Sequence, residues 1–256
     1  MLLRERLWRR SIGLTRGTKL PKMQASFGNS GTWTIQADQV DTDLNRMPAM
    51  NRENVMKLVK RHVATCPWYG YTQGHLYIIY AIGLVLHDEC SMYWAYTRII
   101  RSQYRFGPST PVGVHVVPDW VYNEVADRIE IGRDMWDVLI RFRWLFIMFG
   151  QTCSTPEILC AIWDFNLQHP NNMFYTCAAL LRHGLEQEVP QVPEKCALER
   201  ASDLISIQIQ TTAEAASILA RANIISNEVE VSRHPDSVPH GRRRVRYRRS
   251  LGGNAG

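Results

Sequence analysis

The sequence predicts an all-α fold, and three observations carry that expectation. Apolar residues recur at three- and four-residue spacing in one stretch after another, which is the period of a helix face. Prolines and glycines cluster where those stretches stop, as at Pro67 and Gly70, at Gly150, and at Pro190 and Pro193. Strand-like alternation is confined to Thr32-Trp33-Thr34-Ile35, with no partner run after it, so no sheet is expected.

In chain order, residues 1–14 read as a short helix with Leu3, Leu7 and Trp8 on one side, and residues 15–34 as a loop rich in Gly, Lys, Ser and Thr. A helix is expected from Ile35 to Arg46. It should stop at Met47, because Pro48 pushes its predecessor out of the α region. Asn51–Cys66 is amphipathic through Val55, Leu58, Val59 and Val63, with Asn51 as its cap and Glu53 in the first turn. Gly74–His87 is apolar nearly all round, the mark of a central buried helix. Ser91–Tyr104 follows, with Met92, Tyr96, Ile99 and Ile100 inward, and 106–118 reads as loop.

Asp119–Ile131 fits a helix through Val121, Val125 and Ile129. Met135, Val138, Leu139, Phe142, Leu145, Phe146 and Phe149 predict one long helical stripe that Gly150 stops. Thr155 is an N-cap with Pro156 at the first helical position, and Ile158, Leu159, Ile162 and Trp163 form that helix's core face. Asn172–Glu188, Leu198–Ile209 and Thr211–Ser226 complete the series, the last opened by a capping box, Thr211 with Glu214. No fixed-period repeat runs through the chain.

The composition is that of a globular protein: 256 residues, 45% hydrophobic and 21% charged. The longest apolar run, Leu76–Leu86, is too short to span a bilayer, and the N-terminus lacks the apolar core of a signal peptide. A cytosolic protein is expected, with endomembranes as a peripheral surface. The six cysteines are dispersed and read as reduced thiols. The net charge of +6 is matched by six arginines of the last segment, Arg242, Arg243, Arg244, Arg246, Arg248 and Arg249. The body of the protein is thus near neutral, and any contact with an anionic membrane or nucleic acid belongs to that segment.

Phosphate-binding glycine loops, nucleophile elbows and paired zinc-ligand histidines are all missing from the sequence. What stands out is Val40 to Gly74. Arg46 follows an acidic turn, and Gln73 sits between Tyr71-Thr72 and Gly74, just before the most apolar helix. On residue type alone, Arg46 could be a surface partner of Asp43, and Gln73 a helix cap.

Several landmarks, in order, resemble the TBC-domain family of Rab GTPase-activating proteins. Arg4-x-x-Leu7-Trp8 is similar to its opening motif. Val40-x-x-Asp43-x-x-Arg46 resembles its arginine-finger motif, and Tyr71-Thr72-Gln73-Gly74 its glutamine-finger motif. Arg143-Trp144-Leu145-Phe146-x-x-Phe149 and Pro156-Glu157…Ile162-Trp163-Asp164-Phe165 resemble landmarks of its second half. The departures are Val40 for Ile, Met47 for Thr, and a short bridge, Met47-Pro48-Ala49-Met50, after the arginine. A rival frame, Ile35-x-x-Asp38-x-x-Asp41, supplies no arginine.

The resemblance implies a TBC-like domain of two helical halves over residues 1–226, and the polar, arginine-rich composition beyond it reads as a disordered tail over 227–256. The resemblance also implies an activator that works in trans on a Rab-type GTPase, which itself carries the GTP and Mg²⁺, and that needs no cofactor of its own. Arg46 and Gln73 would be the catalytic pair. Asp43 would grip the arginine with both oxygens, Tyr71 would pack beside the glutamine, and Gly74 would allow close backbone approach. Two other readings stay open: a TBC-like module that binds a small GTPase without stimulating it, and a helical scaffold that acts through its basic tail. Trp8, Trp144, Phe146, Phe149 and Trp163 are expected to be core, and Asp164 a hydrogen-bonding residue.

Overall fold

The periodic stretches become helices. A computed structural model describes residues 2–14, 19–22, 31–48, 50–67, 70–103, 117–169, 171–187 and 196–233. The helices are α1 (Leu2–Ser11), α2 (Gly31–Leu44), α3 (Arg52–Thr65), α4 (His75–Gly83), α5 (Glu89–Gln103), α6 (Asn123–Ala126), α7 (Arg133–Ile140), α8 (Pro156–Asn166), α9 (Asn172–Gln187), α10 (Ala197–Ile205) and α11 (Thr212–Arg233). Among the described residues there is no strand. A single bridge pairs Cys153 with Ile209. The expected loop at 106–116, the prolines at 190 and 193, and residues 234–256 lie outside the described residues.

Two caps form as the side chains dictate. Asn51 accepts from the Asn54 amide at 3.0 Å and opens α3, and Thr155 accepts from Ile158 ahead of Pro156 to open α8. At α11, Thr211 accepts from the Glu214 amide at 3.1 Å, but the Glu214 carboxylate reaches back to the Gln210 amide, one residue further than a capping box predicts.

Several expectations need correction. Among the α1 side chains whose burial is described, Trp8 is the buried one, while Leu3 and Leu7 face outward. The inward face is chosen by a polar clamp: Asp164 of α8 accepts from the Arg4 Nε at 2.9 Å and from the Trp8 indole at 2.7 Å, and Trp8 stacks on Trp163. Helix α2 begins at Gly31, inside the expected loop, and α4 ends at Gly83, short of His87. Asp119–Ile131 is not one helix but a 3-10 turn (Asp119–Val121) followed by α6, although Val121, Val125 and Ile129 are all buried. Helix α10 stops at Ile205, and Ile209 instead donates its amide to Thr152 O at 2.7 Å. Helix α11 runs through Arg233, past the expected boundary at 226.

The long stripe expected from Met135 to Phe149 also breaks. After α7 the chain widens into a π-helical turn, Arg141–Leu145. Its signature is two i→i+5 bonds, Phe146 N to Arg141 O and Phe149 N to Trp144 O, both 2.8 Å. The core takes Trp136, Ile140, Trp144, Leu145 and Phe149, leaving Met135, Val138 and Phe142 exposed at 41%, 47% and 60%. Both faces of this segment are apolar, and the tryptophans occupy the interior because they bury the most area.

The buried side chains form two clusters. One gathers Trp8 and the inner faces of α2–α5; the other gathers residues of α6, α7 and α9–α11. Helix α8 serves both: Ile158 and Ile162 pack into the second, Leu159, Cys160 and Trp163 into the first. The six cysteines form no disulfide, and burial pushes the Cys153 thiol up to about 12.

Two histidines lie inside the first cluster. His62 contacts the Thr97 hydroxyl at 3.1 Å and His75 the Tyr96 hydroxyl at 2.9 Å. Burial lowers both imidazoles from 6.5 to about 3, with Arg101 adding to the effect at His62 and His62 at His75. The unfolded chain therefore takes up these protons first. Their contribution to stability is complete above pH 6.5 and falls as pH drops toward 3, by about 1.4 kcal/mol per pH unit for each histidine. Urea unfolding across that range should show the slope, and His75→Gln should reduce it by the share of one proton while leaving the plateau above pH 7 flat.

Candidate functional site

The last two turns of α2 carry Gln36, Val40 and Asp43 at i, i+4 and i+7, one face directed inward. Val40 is fully buried and Asp43 nearly so. This face grips the strap that precedes α4. The Gln36 side-chain oxygen accepts the Tyr71 amide at 3.2 Å, and the Tyr71 hydroxyl donates to Asp43 Oδ2 at 2.8 Å. Burial, then the bond to Asp43, pushes the Tyr71 phenol up, so it stays a proton donor. Residues 36 and 43 thus hold both ends of Tyr71, and two segments distant in sequence become one rigid unit.

Arg46 lies one turn beyond Asp43, past the end of the helix, where its amide donates to Asp43 O at 3.0 Å. Its side chain is 65% exposed, and Nη1 stands 3.8 Å from Asp43 Oδ1. The bidentate grip that the family resemblance implied does not form, because the other carboxylate oxygen is taken by Tyr71. A single contact at that distance on an exposed side chain restrains it weakly. Tyr71, for its part, is committed to Asp43 through its hydroxyl and lies edge-on to His75.

Gln73 is exposed, and its amide has no hydrogen-bond partner among the described residues. It does not cap α4: the N-cap is Gly74, with no side-chain bond. Gly74 has φ +101°, the left-handed region. A Cβ there would stand 2.7 Å from Ile147 Cγ2 and 3.3 Å from Phe146 Cδ1, so only glycine lets the two halves close at this point. The opposing wall is the segment after the π turn, where Met148 and Phe149 both have positive φ and the Trp163 indole donates to Met148 O at 3.0 Å.

Between these walls lies a cavity of about 450 Å³ lined by both Arg46 and Gln73, with Asp43, Gly74, Phe142 and Arg143 among the other lining residues. The two candidate finger residues, 27 positions apart in sequence, therefore share one open groove. Phe146, expected in the core, is only half-buried and stacks on His75 at 5.7 Å as part of the groove wall. Trp8, Trp144, Phe149 and Trp163 are buried as expected, and Asp164 is the clamp acceptor for α1.

Sequence reading missed Gln36, Arg143 and Gln151. Gln36 left a signal in its helical spacing to Val40 and Asp43, and Arg143 stood in a family-like landmark with no role assigned to it. Among the described residues no group of histidines, cysteines and carboxylates could hold a metal, and no helix is long and apolar enough to cross a membrane. The six tail arginines lie outside the described residues. No family model matches the chain, and no curated protein matches it.

Because Gly74 combines a left-handed backbone with a closed wall, Gly74→Ala should destabilise the fold by about 1–3 kcal/mol. Urea unfolding should show this as a lower midpoint with unchanged slope.

Proposed function

We propose that the protein is a TBC-like activator of a Rab-type small GTPase, its two helical halves meeting at the groove between the α2–α4 unit and the post-π wall. The observation that carries this reading is the placement of Arg46 and Gln73 together on that groove, both exposed, on backbone held by Asp43, Tyr71 and Gly74. The contact between Arg4, Trp8 and Asp164 adds support, since it joins the first and last of the family-like landmarks.

A small GTPase hydrolyses GTP slowly because negative charge builds on the transferring phosphoryl group and the attacking water is poorly held. An arginine entering that pocket neutralises the charge, and a glutamine orients the water. Both side chains here are free to extend, while the backbone beneath them is fixed, so positioning requires little rearrangement of the fold. The GTP and its Mg²⁺ belong to the partner, and this chain contributes no covalent step. A second reading, a module that binds a GTPase without stimulating it, is favoured by one observation: the loose 3.8 Å contact leaves Arg46 without the firm grip of Asp43.

Phosphate release from a panel of GTP-loaded Rab proteins separates the two. Stimulation is expected for at least one member, and Arg46→Ala should remove it by roughly 10³–10⁵-fold, the usual value of an arginine finger. Gln73→Ala should lower kcat with the complex still forming. Tight binding across the panel with no faster hydrolysis would establish the second reading instead.

A further inference from the structure

The groove holds a second cation whose surroundings differ from those of Arg46. Arg143 projects from the π turn, exposed, with Nη1 donating to Gln151 Oε1 at 3.0 Å and Nη2 to Ser206 Oγ at 3.4 Å. Gln151 is fixed in turn, its amide donating to the Tyr77 hydroxyl at 2.8 Å. These partners are neutral, and among the described residues no carboxylate pairs with Arg143. Arg46, by contrast, faces Asp43, the one carboxylate that lines the cavity.

Arg143, Gln151 and Tyr77 also line a second cavity, of about 560 Å³, lined further by Ser206 and Gln208, and among the described residues Arg143 is its one charged lining residue. Arg143 is thus among the residues that the two cavities share at their junction, whereas Arg46 and Gln73 line the first. A planar guanidinium oriented by two neutral acceptors keeps its charge and unused N–H groups for an anion, and the exposed Phe142 lines the same cavity as Arg46.

We infer that Arg143 is a specificity contact of the groove that takes a carboxylate side chain from the surface of the partner GTPase. This rests on the function proposed above. With the nucleotide at Arg46 and Gln73, the group that reaches the cavity junction is part of the partner protein and not the nucleotide. An ion pair at an interface is present in both ground and transition states, so it acts on binding more than on turnover.

The test is steady-state hydrolysis with a Rab that the wild-type protein stimulates. Arg143→Ala should raise KM about tenfold with kcat within about twofold, and Arg143→Lys should recover part of the loss. The KM of Arg143→Ala should also depend less on salt than the wild type's. Arg143→Glu should be rescued by an Asp→Lys or Glu→Lys exchange at one position of the Rab surface. An unchanged KM in Arg143→Ala would overturn the inference while leaving the finger reading intact. A loss confined to kcat would overturn it too, assigning Arg143 to the phosphoryl group. If no Rab is bound or stimulated, the finger reading fails and the carboxylate contact with it. In that case, ¹⁵N-detected titration of the Arg143 side chain with inorganic phosphate shows separately whether the junction takes any anion.

Discussion

The groove depends on one buried hydrogen bond, from the Trp163 indole to the carbonyl of Met148. Met148 and Phe149 adopt left-handed backbone conformations that non-glycine residues rarely hold without outside support. Trp163 supplies that support from α8. The bond turns the chain sharply after the π turn and lays Phe146 and Ile147 over Gly74. The stacking of Phe146 on His75 and the bond from Gln151 to Tyr77 tie the same wall to α4. The indole contributes twice, since its ring is also the surface on which Trp8 stacks.

The site itself separates what is rigid from what is free. Gln36, Asp43 and Tyr71 are bound to one another across two segments, and Gly74 is locked by its own backbone and by the wall opposite. The side chains that face the cavity, Arg46 and Gln73, make few or no internal bonds. Fixed backbone and uncommitted tips suit groups that must act on another molecule, because little internal contact has to be broken before they engage. The geometry also reassigns Asp43. Its carboxylate spends its stronger bond on Tyr71, so it organises the strap under Gln73 as much as it restrains Arg46.

Much of this was readable in the sequence, and the failures have physical causes. Helices α3 and α8 were legible because period and cap agree: Asn51 and Thr155 each stand directly ahead of a run of apolar residues at helical spacing. The segment from Met135 to Phe149 was not, because it is apolar on two faces and periodicity cannot say which will be buried. A π turn adds one residue to the register, which no spacing rule anticipates. Helix α11 outran its expected end because its last turns are polar, yet Val229 still packs on the core and Arg182 lies 4.0 Å from Glu228. At the site, Asp43, Arg46, Gln73 and Gly74 could be picked out from local motifs. Gln36 and Arg143 act through partners 35 or more positions away, or across a loop, and local patterns carry no record of such pairs.

Helix α8 has a thermodynamic consequence. A protein with two cores can ordinarily melt one and keep the other, which gives stepwise unfolding and lets damage stay local. Here the two cores are lined by neighbouring faces of the same eleven-residue helix. Loss of either strips one side of α8 and, with Trp163, the support of the groove. The two cores are therefore expected to unfold together. A change deep in the distal cluster, at Leu181 or Ala222 for example, would leave the chemistry of the groove untouched and still reduce the fraction of molecules that possess one.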